Sequence, residues 1–232
     1  MRSRLPAVTV IDVPEDPALY VAALDSANLF DTVSVTSEDR ARGEFFHQNH
    51  ARERLESGSA DYAEFLRRLE MRAIVEPIDQ HHLTRAVQLI NKTSQFNLTV
   101  RRMTEAEVET FAQHTDAYTS TVRLQDKFGS YGLISVVMGW VTGDTLHLEN
   151  WVMSCRVFKR GVELLEMERL LAFCKARGLR NIVARYVATP RNKLVIRHLE
   201  ELGFVPALSG EDAIWHFALD VQNAKCAHAI AT

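Results

Sequence analysis

The chain has 232 residues, 47% hydrophobic and 25% charged, with a formal net charge of -3, enough to bury one sizeable core plus an extension but without the basic footprint of a nucleic-acid binder. Its three cysteines, Cys155, Cys174 and Cys226, are widely spaced with no CxxC pair, which excludes a disulfide framework or a zinc site, and no metal is expected. Asp12, Glu15 and Asp16 precede any long apolar run and none could span a bilayer, so the expectation is a soluble cytoplasmic protein with no membrane or nucleic-acid partner.

Residues 7–13 are β-rich and end at Pro14-Glu15-Asp16-Pro17, after which residues 18–30 have helical spacing. A lone strand cannot satisfy its backbone, so this one is expected to pair with a sheet in this chain or in a partner. Thr36-Ser37-Glu38-Asp39 has the composition of a helix start, and residues 62–71 form another short helical stretch. Residues 1–71 therefore divide from the rest as a strand remnant and a helical extension or linker.

From Arg72 the pattern changes to alternating strands and helices: a strand over 72–78, an amphipathic helix over 81–93, and a helix from Thr104, whose spacing to Glu107 is that of a capping box. Residues 117–126, 131–141 and 145–155 are predicted strands. Turn signals at Phe128-Gly129-Ser130 and Thr142-Gly143-Asp144 make them antiparallel hairpins. A helix ended by Gly178, a strand over 181–187, a helix ended by Gly203 and a strand over 213–219 complete the order. Helices crossing between strands predict a mixed α/β sheet over 72–220, and residues 221–232, which lack periodicity, are expected to fray.

The most informative stretch is residues 154–162, which joins a buried strand to a helix N-terminus, where unpaired backbone N–H groups favour anions. Arg156, Lys159 and Arg160 oppose the helix dipole there, at about 0.3–1 kcal/mol per group. Either a pyrophosphate compensates them or they are solvated surface cations.

With Arg156 and Gly161 in that strand-loop-helix, the stretch resembles motif A of GNAT (acyl-CoA N-acyltransferase-like) enzymes. The resemblance implies the GNAT fold, a mixed sheet with flanking helices. It also implies a CoA or phosphopantetheine pyrophosphate held by Arg156, Lys159, Arg160, Gly161 and Val162. Lys159 stands where the first glycine of that motif lies, and its ammonium would meet the phosphate. Asn192 and Leu202-Gly203-Phe204 match the second cofactor-side motif of the fold, which adds Asn192 to the cofactor contacts.

Residues 91–99 with Arg101-Arg102, residues 128–133, Met153-Ser154-Cys155-Arg156, and residues 185–192 together resemble FkbH-like proteins along most of the chain. In that family a HAD-type domain precedes a GNAT-like domain, and members load glyceryl or related units onto acyl carrier proteins in polyketide-type secondary metabolism. This sequence has no Asp-x-Asp motif, and its first residues are similar to the end of a HAD domain. The resemblance therefore implies a C-terminal half, with an acyl carrier protein and a separate HAD-type domain as partners.

Acyl transfer needs a base, an oxyanion donor and an acid for the leaving thiolate. Glu149, on the strand leading into residues 154–162, is the candidate base, or a solvated strand carboxylate. Leu199 occupies the position where many GNAT enzymes carry a tyrosine acid; Tyr186 and His198 are the candidate substitutes, each with a structural alternative. Cys155, at a cationic helix N-terminus, is either a nucleophile of lowered pKa that relays an acyl group or a small core residue. Gln95, Asn97 and Arg101 suit a hydroxylated acyl group or the phosphopantetheine amides, or else brace a loop. His47, His50, His81 and His82 lack further ligands at metal spacing. Three functions follow: acyl transfer from a phosphopantetheine thioester, a catalytically silent docking module for a carrier or HAD partner, and N-acetylation of a small amine.

Overall fold

A 3-10 turn at Pro17–Leu19, capped by the Asp16 carboxylate on Ala18 N, leads into α1 (Tyr20–Ser26) in the computed structural model, which describes residues 9–29, 42–209, 214–221 and 230–232. Residues 9–13, the described part of the strand expected over 7–13, form no strand. The helix start expected at 36–39 lies outside the described residues. The chain divides into two units, 1–47 and 48–232. In the first, α1 buries none of its side chains.

Helix α2 (Arg42–Ser57) runs across the division. Its second half and α3 (Tyr62–Arg68) belong to the second unit, although the sequence groups them with the extension. Arg52, 2% exposed, explains why: Nε and Nη2 donate to both oxygens of Asp126 at 2.7 and 2.9 Å, and the guanidinium lies 4.2 Å over the Tyr131 ring. The Tyr131 hydroxyl donates to the same carboxylate at 2.8 Å. Removing one partner of such a pair costs about 3–5 kcal/mol, so the helix is pinned to the sheet.

The sheet has the order β1-β3-β4-β5-β6-β8-β7, with β1 (Arg72–Glu76), β3 (Ala117–Asp126), β4 (Gly129–Thr142), β5 (Thr145–Met153), β6 (Asn181–Val187), β7 (Val205–Ser209) and β8 (Ile214–Asp220). All of these pairings are antiparallel except β5–β6, which is parallel over Thr145–Leu148 and Asn181–Ala184. Beyond that point the two strands part. The two-residue β2 (Phe96–Asn97) enters the fork, pairing with Met153 and Val152 of β5. Leu98 then bridges it: its N–H donates to Trp151 O at 3.2 Å and its carbonyl accepts from Val187 N of β6 at 2.8 Å.

Helices α4 (Gln80–Lys92) and α5 (Glu105–Ala112) cover one face, where Leu83, Ile90, Val108 and Phe111 pack on Val136, Met138 and Val152. The capping box expected at Thr104 and Glu107 is present. Helix α6 (Val162–Ala176) lies on the opposite face, with Phe173 against Tyr118 and Glu166 accepting from Ser120 Oγ at 3.0 Å. Glu166 is fully buried, and burial pushes its carboxyl up to about 7. Helix α7 (Leu194–Glu201) buries Val195 and Leu199.

The tail does not fray at its end. Ile230 is buried and Ala231 forms a parallel bridge to Arg72, accepting from Ala73 N at 2.8 Å and donating to Met71 O at 3.1 Å. β1 is an edge strand whose outer backbone groups need partners, and the C-terminal residues supply them.

Candidate functional site

Strand β5 ends at Met153, and Ser154 caps a 3-10 turn at Cys155–Val157, its Oγ accepting from Arg156 N and Nε at 3.4 and 3.2 Å. Lys159 (φ 63°) and Gly161 (φ 82°) then turn the chain into α6 through left-handed conformations. Glycine adopts that region without penalty; a side chain there costs about 1–2 kcal/mol, so Lys159 holds strain in this loop. The Lys159 carbonyl accepts from Tyr62 Oη at 3.0 Å. Burial pushes the Tyr62 hydroxyl up, against the pull of the Arg160 cation. Val162 is buried in the core, so it can offer a ligand only its backbone.

Arg156, Lys159 and Arg160 open together onto a cavity of about 510 Å³ whose other walls include Phe158, Tyr62 and Phe65. The Arg160 guanidinium lies 5.3 Å from the Phe65 ring centroid and 5.7 Å from that of Tyr131, and its Nη1 is buried with no hydrogen-bond partner. Glu163, in the first turn of α6, has a carboxyl pushed up by burial, which softens its repulsion of an anion nearby. The sequence reading did not single it out.

A second cavity, of about 340 Å³, adjoins Arg156 and contains Cys155 and Gln95 together with Arg85, Lys92 and Ser94. Cys155 is exposed, which overturns its alternative as a small core residue. The thiol thus sits among cationic and amide side chains.

Three predicted site residues are sealed into the fold, and these expectations are corrected. Asn192 is 0% exposed; Oδ1 accepts from Thr189 N at 2.7 Å, Thr189 Oγ1 at 2.9 Å and Tyr186 Oη at 3.1 Å, while Nδ2 donates to the carbonyls of Asn97 and Val187, both at 2.9 Å. Its hydrogen-bonding capacity is spent inside the protein, so it braces the fork and does not reach a cofactor. Tyr186, also 0% exposed and bonded to Asn192, cannot act as the acid. Asn97 is 0% exposed, with Oδ1 accepting from Thr99 N and Val100 N and Nδ2 donating to Thr93 O, so the loop-bracing alternative holds for it. Leu199 is buried, and His198 packs 5.5 Å from the Phe96 ring.

Glu149 and Arg101 line a third cavity, of about 440 Å³, between α5 and the β4–β5 ladder. Each is paired: Glu149 with Arg185 at 3.6 Å, Arg101 with Glu107 at 3.4 Å. Glu149 and Cys155 therefore open on different cavities. Other wall residues, among them Met103, Phe111, Met138, Trp140 and Asn150, went unmarked in the sequence. Asn150 carried little signal: with Glu149 it is one of two polar residues directly before the apolar run Trp151-Val152-Met153. Among the described residues no group of three His, Cys, Asp or Glu could hold a metal, and no helix is long and apolar enough to cross a membrane.

No family model and no curated protein matches the chain. Solved structures do match it. The ribosomal-protein-S18-alanine N-acetyltransferase from Escherichia coli is 16% identical with a TM-score of 0.50, covering 64% of this chain and 94% of its own. The GNAT domain of S. lividans PAT is 19% identical with a TM-score of 0.51, covering 65% and 94%. A domain from Methanocaldococcus jannaschii is 12% identical with a TM-score of 0.52, covering 65% and 99%. At these identities the likeness is one of fold, and the chain has the GNAT fold.

Proposed function

We propose that this protein is an acyltransferase acting on a phosphopantetheine thioester, of CoA or of an acyl carrier protein, with the phosphate groups held at the loop between β5 and α6. The carrying observation is the convergence of Arg156, Lys159 and Arg160 on one cavity ahead of a 15-residue helix, with Arg160 Nη1 buried and lacking a hydrogen-bond partner. Cations crowded at the positive end of a helix are unfavourable until an anion joins them. Cys155, in the cavity next door that shares Arg156, is the nucleophile in this reading. Its thiolate attacks the thioester carbonyl and expels the pantetheine thiolate, which takes up the proton that Cys155 lost; a carrier thiol then attacks the acyl-cysteine and restores Cys155. The resemblance to FkbH-like proteins supports an acyl carrier protein and a separate HAD-type domain as partners, in polyketide-type secondary metabolism in the cytoplasm.

One observation favours a second reading, a catalytically silent module that docks a carrier protein or a HAD-type partner. The fork between β5 and β6 is filled by the chain's own residues 96–98, the candidate acid Tyr186 is sealed there, and the position of the usual tyrosine acid holds the buried Leu199. N-acetylation of a small amine is the least supported, because the carboxylates of Glu149 and Glu107 that could receive an ammonium are already paired with arginines.

Calorimetric titration with CoA and with phosphopantetheinylated carrier protein, repeated on Arg156→Ala, separates the readings. Binding of either ligand that weakens about tenfold in the variant, with an acyl adduct on Cys155 by intact mass, supports transfer. No CoA binding, with carrier binding indifferent to Arg156, sinks the enzyme and leaves the docking module.

A further inference from the structure

Asn150 lies in the wall of the cavity between α5 and the β4–β5 ladder. It is 2% exposed, and neither its Nδ2 nor its Oδ1 has a hydrogen-bond partner. Burying a primary amide unpaired is unfavourable, and the other two fully buried asparagines among the described residues, Asn97 and Asn192, spend both amide atoms inside the protein. The orphaned amide is therefore not the habit of asparagine in this fold.

Local backbone geometry puts it there. The ladder register shifts between Met138 and Gly139: Met138 pairs with Asn150 and Gly139 with Leu148, so Glu149 is the extra residue of a bulge. A bulge re-aims the side chains beside it. Asn150 thereby shares the face of its ladder partner Met138, which belongs to the core beneath α4 and α5. Gly139 permits the shift, since a Cβ there would stand 2.7 Å from the His147 carbonyl oxygen.

Beside Asn150 the cavity has an apolar wall of Met103, Phe111, Met138 and Trp140. The Trp140 and Phe111 rings lie 3.9 Å apart between centroids, with His114 edge-on to Trp140 at 5.0 Å and Met103 and Met138 nearby. Its acidic groups, Glu149 and Glu107, are each neutralised by an arginine, and His114 Nδ1 accepts from Asp116 N at 3.2 Å.

We infer that this cavity binds a neutral, amide-bearing small molecule, its carboxamide paired with both amide atoms of Asn150 and its apolar body against Trp140, Phe111 and Met138. The reasoning is one of complementarity. Asparagine presents a donor beside an acceptor, and a second amide answers both. A carboxylate brings acceptors alone and sets a negative charge against Oδ1. An ammonium brings donors alone and finds no uncompensated carboxylate. A cavity of about 440 Å³ is within the range that holds small organic ligands, commonly about 300–1,000 Å³. This inference does not depend on the acyl-transfer reading, whose nucleophile Cys155 opens on a different cavity.

The test uses the full chain and three probes of one shape: benzamide, benzoate and benzylamine, titrated by NMR. Benzamide is expected to bind about tenfold or more tightly than either charged probe. Asn150→Leu is expected to lose at least about tenfold in benzamide affinity, to keep whatever CoA affinity the parent chain has, and to unfold at an equal or higher denaturant concentration, because it removes an unpaired buried group. Asn150→Asp, which keeps the shape and loses the amide donors, serves where the leucine variant does not fold and is expected to lose benzamide binding too. Equal binding of the three probes, benzamide affinity retained in both variants, or a leucine variant that folds but is markedly less stable, overturns the inference. The last outcome assigns Asn150 a purely structural bonding role. Absence of CoA binding alongside selective benzamide binding sinks the acyl-transfer reading and leaves this one standing.

Discussion

The fork between β5 and β6 and the loop from Ser154 to Gly161 lie next to each other in the sheet, and each supplied candidate site residues, yet their polar side chains have opposite fates. In the fork, Asn97, Tyr186 and Asn192 are fully buried and saturated with internal hydrogen bonds. In the loop, Cys155 and Lys159 are exposed, Arg156 and Arg160 line a cavity, and Arg160 keeps a buried nitrogen without a hydrogen-bond partner. A polar group whose hydrogen bonds all close within the protein holds the fold together. One that is buried and left unmatched calls for a separate explanation, of which an outside ligand is one.

The largest effect that would sharpen this contrast is at Asn192. Asn192→Ala removes the acceptor of Thr189 N, the nearer acceptor of Tyr186 Oη and the donor to two carbonyls at once. At about 1–3 kcal/mol per stranded buried group, a loss of about 3 kcal/mol or more is expected in urea unfolding. A loss below about 1 kcal/mol would return Asn192 to the list of ligand contacts.

Glu166 tests an intermediate case, a buried acid with one hydroxyl donor from Ser120. Its folded pKa stands at about 7, above the ordinary 4.5, because burial disfavours the charge. The folded state therefore holds a proton that the unfolded chain has released, and stability falls as pH rises from about 4.5 to about 7. Glu166→Gln should flatten that part of the profile by an amount on the order of 2 kcal/mol; melting curves at pH 5 and pH 7.5 read the difference, and parallel profiles for parent and variant would contradict the burial argument.

Arg156→Ala should weaken CoA or carrier binding about tenfold while changing stability by no more than about 0.5 kcal/mol, the pattern of a residue outside the packed core. A large stability loss with unchanged binding would move the loop into the same class as the fork and erase the contrast. Smallest is Lys159→Gly. Relieving the left-handed backbone should stabilise the chain by up to about 1 kcal/mol while weakening anion binding, measured together by melting and calorimetry.

The strand and helix order from Arg72 onward was legible because its signals are local: alternation in residues 117–126, the Thr104 and Glu107 capping box, the glycines after α6 and α7. The cationic loop was legible for the same reason, since strand, loop and helix N-terminus are contiguous. Local signals failed where a partner distant in sequence decides. Ala231 pairs with Arg72 across nearly the whole chain, and Arg52 ties α2 to Asp126, which moved residues 48–71 out of the extension.

Tyr186, Asn97 and Asn192 mark the same divide within the candidate site. The resemblance nominated Asn192 and, as a substitute acid, Tyr186, and a polar run after a helix nominated Asn97, but whether a side chain faces a ligand or another side chain depends on what folds onto it. By itself the sequence determined the fold class and the placement of positive charge at the head of α6, because period, capping and charge are read residue by residue. Tertiary structure alone decided which amides are spent and which are spare: the bulge at Glu149 turned Asn150 into a cavity, and the entry of Phe96–Leu98 into the fork closed over its neighbours. Hydrogen-bond saturation is a property of neighbours brought together by folding, and no window of sequence contains them.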